Sequence, residues 1–162
     1  AGTYRLPEAQ LDRFLMKTSI GYPGREAGID VILGSAAPDR TRALDPVIST
    51  KAVADMADLA ANNYVDRSIA AYVQDLCEAS RADSEVRIGV STRGAIAMMR
   101  AARVWAIAQG RNFVIPDDVQ ALAARVWAHR LVLDPDAEFG GATREGVIER
   151  ALGAVAAPVM KG

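Results

Sequence analysis

The sequence predicts a mainly all-α protein, a bundle of four or five helices led by a short helix and a strand that has no sheet of its own. Three observations predict it. Alanine is abundant and aromatic residues make up only 6% of the chain, which favours closely approaching helices over a β-sandwich. Capping residues stand in front of apolar residues at helical spacing: Ser49, Asp66, Ser91 and the run Pro116-Asp117-Asp118. Finally, the stretch FLMKTSIGYPG at 14–24 reads as a strand, yet nothing else in the chain supplies a sheet for it. A lone strand leaves its backbone groups unpaired, so this one points to a missing part.

Taken in order, 6–14 (LPEAQLDRF) is expected as a short helix, with Pro7 suited to the first position and Glu8 to the positive end of the dipole. The strand follows and leaves at Gly21–Pro23. Residues 24–34 read as helix, with Ile29, Ile32 and Leu33 on one side. The run 34–46 has no period and two prolines, hence a loop. Ser49 then caps a helix in which Val53, Met56 and Leu59/Ala60 form a stripe. Asp66 caps a longer one, with Ile69, Tyr72/Val73 and Leu76/Cys77 inward. A loop with a short strand is expected at 82–90, a helix at 92–109 ended by Gly110, and another from Pro116 to about His129. RLVLDP is extended, and a last helix starts near 143, its end blurred by Gly153 and Pro158. The hexapeptide AARVWA occurs at 101–106 and again at 123–128. Two copies with different flanks do not make a solenoid, and they are read as coincidence in two alanine-rich helices that pack together.

Composition narrows the function. The chain has 162 residues, 51% apolar and 24% charged, enough for one domain or a small helical domain with an appendage. Its formal charge of −1 argues against a dedicated nucleic-acid binder, which usually carries a basic excess. Cys77 and His129 are the only residues of their kinds, so an intrachain disulfide and Cys/His zinc ligation are excluded, and a reducing, cytoplasmic setting is expected. The N-terminus has no signal pattern. The longest apolar candidate, 94–108, is broken by Arg100 and Arg103, so no membrane span is expected.

Few residues carry chemistry. Arg93 falls in the first turn of its helix, where the dipole disfavours a cation but free N–H groups attract anions. Ser91-Thr92-Arg93-Gly94 therefore reads either as one wall of a phosphate site or as an ordinary arginine paired with Asp83 or Glu85. Arg13, at the mouth of the strand, reads as a charge stabiliser for a neighbour's nucleotide or as the partner of Glu8, Asp12 or Glu26. His129 reads as a helix C-terminal residue and Cys77 as buried packing. The chain contains no GxxxxGK[ST] loop and no apolar strand ending in paired acids for magnesium, so it is not expected to hydrolyse ATP alone.

The run Gly2-Thr3-Tyr4-x-Leu6-Pro7-Glu8-Ala9-Gln10-Leu11-Asp12-Arg13-Phe14, continued by Leu15-Met16-Lys17 and Ile20-Gly21-Tyr22-Pro23, closely resembles a signature of MoxR AAA+ ATPases. Tyr64-Val65-Asp66, Arg87 to Gly94, Gly110 to Val119 and Ala128-His129-Arg130-Leu131 resemble further motifs of that family, so the likeness covers essentially the whole chain. Val90 and Thr92 depart from the usual G-A-S-P-R-A, and Thr92 in place of proline is expected to loosen the helix start and displace Arg93 slightly. The resemblance implies that 1–23 is the end of the ATPase core, with its arginine-finger helix and last strand, and that 24–162 is the helical lid with a C-terminal extension. It aligns Arg93 with the sensor-2 arginine that reaches the γ-phosphate of ATP, and Arg13 with an arginine finger acting in trans. For the parent it implies a ring, expected to be a hexamer, using ATP and Mg²⁺ as a chaperone-like maturation factor beside a von Willebrand factor A partner. No cofactor is expected to bind this chain tightly. Hydrolysis would swing the lid against the core. Two alternatives stand beside it: a stand-alone helical protein-interaction module and a helical DNA-binding domain. The leftover core edge counts against the first and the near-neutral charge against the second. An exposed apolar seam is expected where the core should pack.

Overall fold

In a computed structural model of the chain, residues 7–34 and 44–159 are described. The elements are α1 (Glu8–Leu11), α2 (Arg25–Leu33), α3 (Thr50–Ala61), α4 (Arg67–Ala82), β1 (Val86–Ile88), α5 (Thr92–Ala108), α6 (Pro116–Trp127), β2 (Val132–Leu133), α7 (Pro135–Phe139) and α8 (Arg144–Ala154). A 3₁₀ turn at Ala128–Arg130 follows α6 directly.

The capping signals act as the sequence suggests. Ser49 accepts from the Ala52 N–H, Asp66 from Ser68 and Thr143 from Gly146. Each satisfies one of the donors that a helix start leaves open. Helix α6 uses a different device. Buried Asp118 accepts the Ile115 N–H at 2.9 Å and is gripped by the Arg111 guanidinium, one bond of which is 2.8 Å. An unpaired carboxylate there would be costly, so Arg111 and Asp118 act as one unit. Gly110, at φ +76°, ends α5 as expected, since that backbone region favours glycine.

Helices α4, α5, α6 and α8 enclose the core, with Ile69, Tyr72, Leu76, Cys77, Met98, Val119 and Trp127 almost wholly buried. The inward face predicted for α4 is correct. Burial pushes the Cys77 thiol up to about 11, so it packs as a neutral group. Strands β1 and β2 pair antiparallel, and Tyr64 makes a parallel bridge to Phe113 that clips the end of α3 to the start of α6. No helix of the described residues is long and apolar enough to cross a membrane.

Two expectations need correction, and one apolar stripe proves to lie outside the core. Residues 14–23 form no strand: the stretch runs beside the bundle, where the Lys17 N–H donates to the Arg125 carbonyl, but no neighbouring strand offers it a ladder. On α3, Val53, Met56 and Leu59 are 52%, 59% and 60% exposed, and only Ala60 of the expected stripe is buried. Ala57, Ala60 and Ala61 line a cleft that the helix shares with Arg100, Arg103 and Val104 of α5, and its larger apolar side chains face outward. The short helix α7 was not foreseen in RLVLDP and its sequel; Asp134 caps it and Pro135 starts it. The loop expected at 34–46 lies mostly outside the described residues.

Candidate functional site

The site grows from the first turn of α5. Ser91 caps the helix, its hydroxyl accepting the Gly94 N–H at 3.2 Å. Thr92 opens α5 directly behind that cap. Gly94 lets two larger groups approach. A Cβ there would sit 2.6 Å from Val90 Cγ1 and 3.2 Å from Arg130 Cδ. The Gly94 carbonyl also accepts the Trp127 indole N–H at 3.0 Å, which fixes α5 against α6.

Arg130 is the residue that sequence reasoning passed over. Its side chain is only 2% exposed. Nε donates to the Val126 carbonyl at 2.9 Å, while the terminal nitrogens reach Asp12 Oδ1 and the Phe14 carbonyl, each at 2.6 Å, and the Asp12 carbonyl. A buried guanidinium needs its donors satisfied, and here the segment after α1 satisfies them. The signal was on the page: Ala128-His129-Arg130-Leu131 is one of the motifs that carry the resemblance, but an arginine just past a helix end reads as solvent-facing.

Asp12 therefore stands at a junction. Its carboxylate takes the Arg130 bond, accepts from the Ser91 hydroxyl at 3.2 and 3.3 Å, and lies 3.8 Å from Arg93. Of the two arginines it faces, Arg93 is 60% exposed and held by that one loose contact. The alternative pairing of Arg93 with Asp83 or Glu85 does not occur, because Arg150 takes both, the former at 2.8 Å. Arg13 is exposed and makes no ion pair to a described side chain, Asp12 being held by Arg130.

A cleft of about 300 Å³ opens here, lined by Asp12, Arg13, Leu15, Arg93, Ile96, Ala97, Arg100 and Arg130. Its lining holds four arginines and a single carboxylate. Arg13 and Arg93, assigned by resemblance to different nucleotides, line the same cleft. His129 precedes Arg130 in the 3₁₀ turn. Its Nε2 is 3.1 Å from the Phe14 carbonyl, Nδ1 is buried without a partner, and burial holds the imidazole below its usual range. With the carbonyl as acceptor, Nε2 carries the proton, so this is a neutral positioning group and not an acid or base for the cleft.

A family model for the AAA lid domain matches residues 78–159, the part that holds α5, α6 and Arg130. The chain is 36% identical to the chaperone MoxR1 of Mycobacterium tuberculosis over 97% of its own length, and 33% identical to the protein MoxR of Paracoccus denitrificans over 82%. The chain belongs to the MoxR family of AAA+ ATPases. It corresponds to the C-terminal part of such proteins, and it spans about half the length of the curated relatives it matches, 50% of the uncharacterized protein YeaC of Bacillus subtilis and 44% of MoxR1. With YeaC it shares 39% identity over 99% of its length. A solved structure, that of a candidate ATPase of Cytophaga hutchinsonii, superposes with a TM-score of 0.85 at 28% identity, covering 98% of this chain and 51% of that one. The mainly helical lid fold is thereby established for this MoxR-family chain.

Proposed function

We propose that the arginine cleft is the phosphate-recognition face of a MoxR-type lid and that Arg93 is its sensor of the γ-phosphate of ATP. The observation that supports this is the cleft's charge. Arg13, Arg93, Arg100 and Arg130 line the cleft with a single carboxylate, and Arg93 stands in the first turn of a helix whose N–H groups already favour an anion. Arg93 is largely exposed and lies 3.8 Å from Asp12, so its fork is available to phosphate oxygens. Asp12 is engaged by Arg130 and Ser91, and no group of three possible metal ligands occurs among the described residues. The ligands of magnesium would come from the ATPase core.

In the parent, ATP supplies the free energy of phosphoryl transfer. This chain's residues orient the lid: Arg93 ties α5 to the terminal phosphate, and the Arg130 anchor carries that pull to the α1 segment and to Arg13. A ring, expected to be a hexamer, would let Arg13 act on the nucleotide of the next subunit, for which the α1 segment would turn its end outward. A chaperone-like role, a von Willebrand factor A partner and a cytoplasmic setting belong to the same proposal. The exposed apolar side chains of α2 and α3, among them Ile32, Leu33, Val53 and Met56, favour a second reading in which part of this chain is a docking surface.

The test is ATP turnover by the full-length gene product as wild type, Arg93→Ala and Arg13→Ala. Arg93→Ala is expected to lower turnover about tenfold or more with the fold intact. Mixing Arg13→Ala subunits with subunits unable to bind ATP should restore part of the activity if Arg13 acts in trans. Unchanged turnover in Arg93→Ala would return that residue to the surface, leaving the docking reading in place.

A further inference from the structure

Two arginines share the Asp12 carboxylate very unequally. Arg130 holds it from a buried position, through a 2.6 Å bond and a second bond to the Asp12 backbone carbonyl. Arg93 approaches the other oxygen at 3.8 Å from a largely exposed position. Ser91 donates to the same carboxylate while capping the helix that carries Arg93. The carboxylate is therefore fixed by two groups and lent to a third.

Resting on the phosphate reading above, we propose that Asp12 is the resting counter-ion of Arg93, a placeholder that a polyphosphate must displace, with Arg130 as the positioning residue that keeps it in place. Burial decides which arginine lets go. Releasing Arg130 would strand a guanidinium that is 2% exposed, whereas an ion pair as exposed as that of Arg93 is weak. Charge decides what can displace Asp12. A monoanion such as acetate only repeats the single charge already present, while a terminal phosphate brings up to about two negative charges and three acceptor oxygens. Asp12 thus sets a threshold in favour of polyphosphate. Because Asp12 sits between α1 and α5, the exchange also reports phosphate occupancy to the segment that bears Arg13.

The test titrates the 162-residue chain with sodium tripolyphosphate at low salt, following the arginine Nε–Hε NMR signals. Asp12→Asn is expected to tighten binding about two- to fivefold, the scale of an exposed ion pair. Glu149→Gln, the same charge change on α8, should leave affinity unchanged, and an equal effect there would overturn the proposal as mere net charge. Damage to the fold would weaken binding, so tightening is a result that a purely structural role for Asp12 does not give. Acetate at the same concentration should leave the Arg93 signal in place. If Arg93→Ala weakens binding but Asp12→Asn does not tighten it, the placeholder fails and the phosphate reading survives. If Arg93→Ala has no effect, both fail. Should Asp12→Asn not fold, the wild-type titration decides: the Arg93 signal must move while Arg130 stays, and the reverse overturns the proposal.

Discussion

The two copies of AARVWA are both helical, and both bury their first and last alanines, but they differ in the residues between. In α5 the alanines face the core, Ala101, Ala102 and Ala106, while Val104 and Trp105 are 56% and 39% exposed. In α6 the larger residues turn inward, and Trp127 is 2% exposed with Val126 fully buried. Local propensity is identical, so helix forms in both places. What differs is the flank. Gly94, Ala97 and Met98 set the buried stripe of α5 one way, and Val119 and Leu122 set that of α6 another. The copies also end differently: Ile107 continues α5, whereas His129 and Arg130 tighten into a 3₁₀ turn that grips the α1 segment. An identical sequence thus supplies close helix contact in one place and the anchor of the candidate site in the other.

The largest test of that contrast is the tryptophan pair. Trp127→Ala should cost about 3–5 kcal/mol by urea unfolding, from the cavity and the lost indole bond to Gly94. Trp105→Ala should stay under about 1 kcal/mol, and equal losses would break the comparison. Next come the second alanines of each copy. Ala102→Leu overfills a fully buried position at about 1–3 kcal/mol, while Ala124→Leu, on the exposed face, should fall within about 0.5 kcal/mol of wild type. The arginines give a smaller difference. Arg103 donates to the Ala61 carbonyl and holds the end of α3, whereas Arg125 donates within its own helix, to Ala121. Arg103→Gln should therefore speed amide exchange in α3 and cost about 1 kcal/mol, with Arg125→Gln near neutral.

The smallest effect is one of pH and arises only after the second copy. Burial lowers the His129 pKa below 6.5, so the unfolded chain takes up the proton before the folded one does. The stability that comes from neutral His129 is present above pH 6.5 and is lost as the pH falls below it. His129→Gln should flatten that slope in urea midpoints measured between about pH 7 and 5, and an unchanged slope would place the titration elsewhere.

Much of the lid was legible in the sequence because its signals are local. Ser49, Asp66, Ser91 and the Pro116-Asp117-Asp118 run mark helix starts through bonds spanning a few residues, and the inward face of α4 follows from spacing alone. Part of the candidate site was equally legible, since Arg93 in a first turn is odd by itself. Arg130 was not, because its partners Asp12 and Phe14 lie more than 100 residues away.

The sequence by itself determined where the capped helices of the bundle begin, the family to which the motifs belong, and the presence of an apolar stripe on α3. Only the tertiary structure decided what covers each stripe, which way each AARVWA turns, and which arginine is buried. Caps and periodicity act through neighbours on one chain segment. Burial depends on which other surfaces arrive, and hydrogen bonds across the bundle follow from that arrival: no described residue covers Val53 and Met56 of α3, while Arg130 is drawn inside by a carboxylate from the far end of the chain.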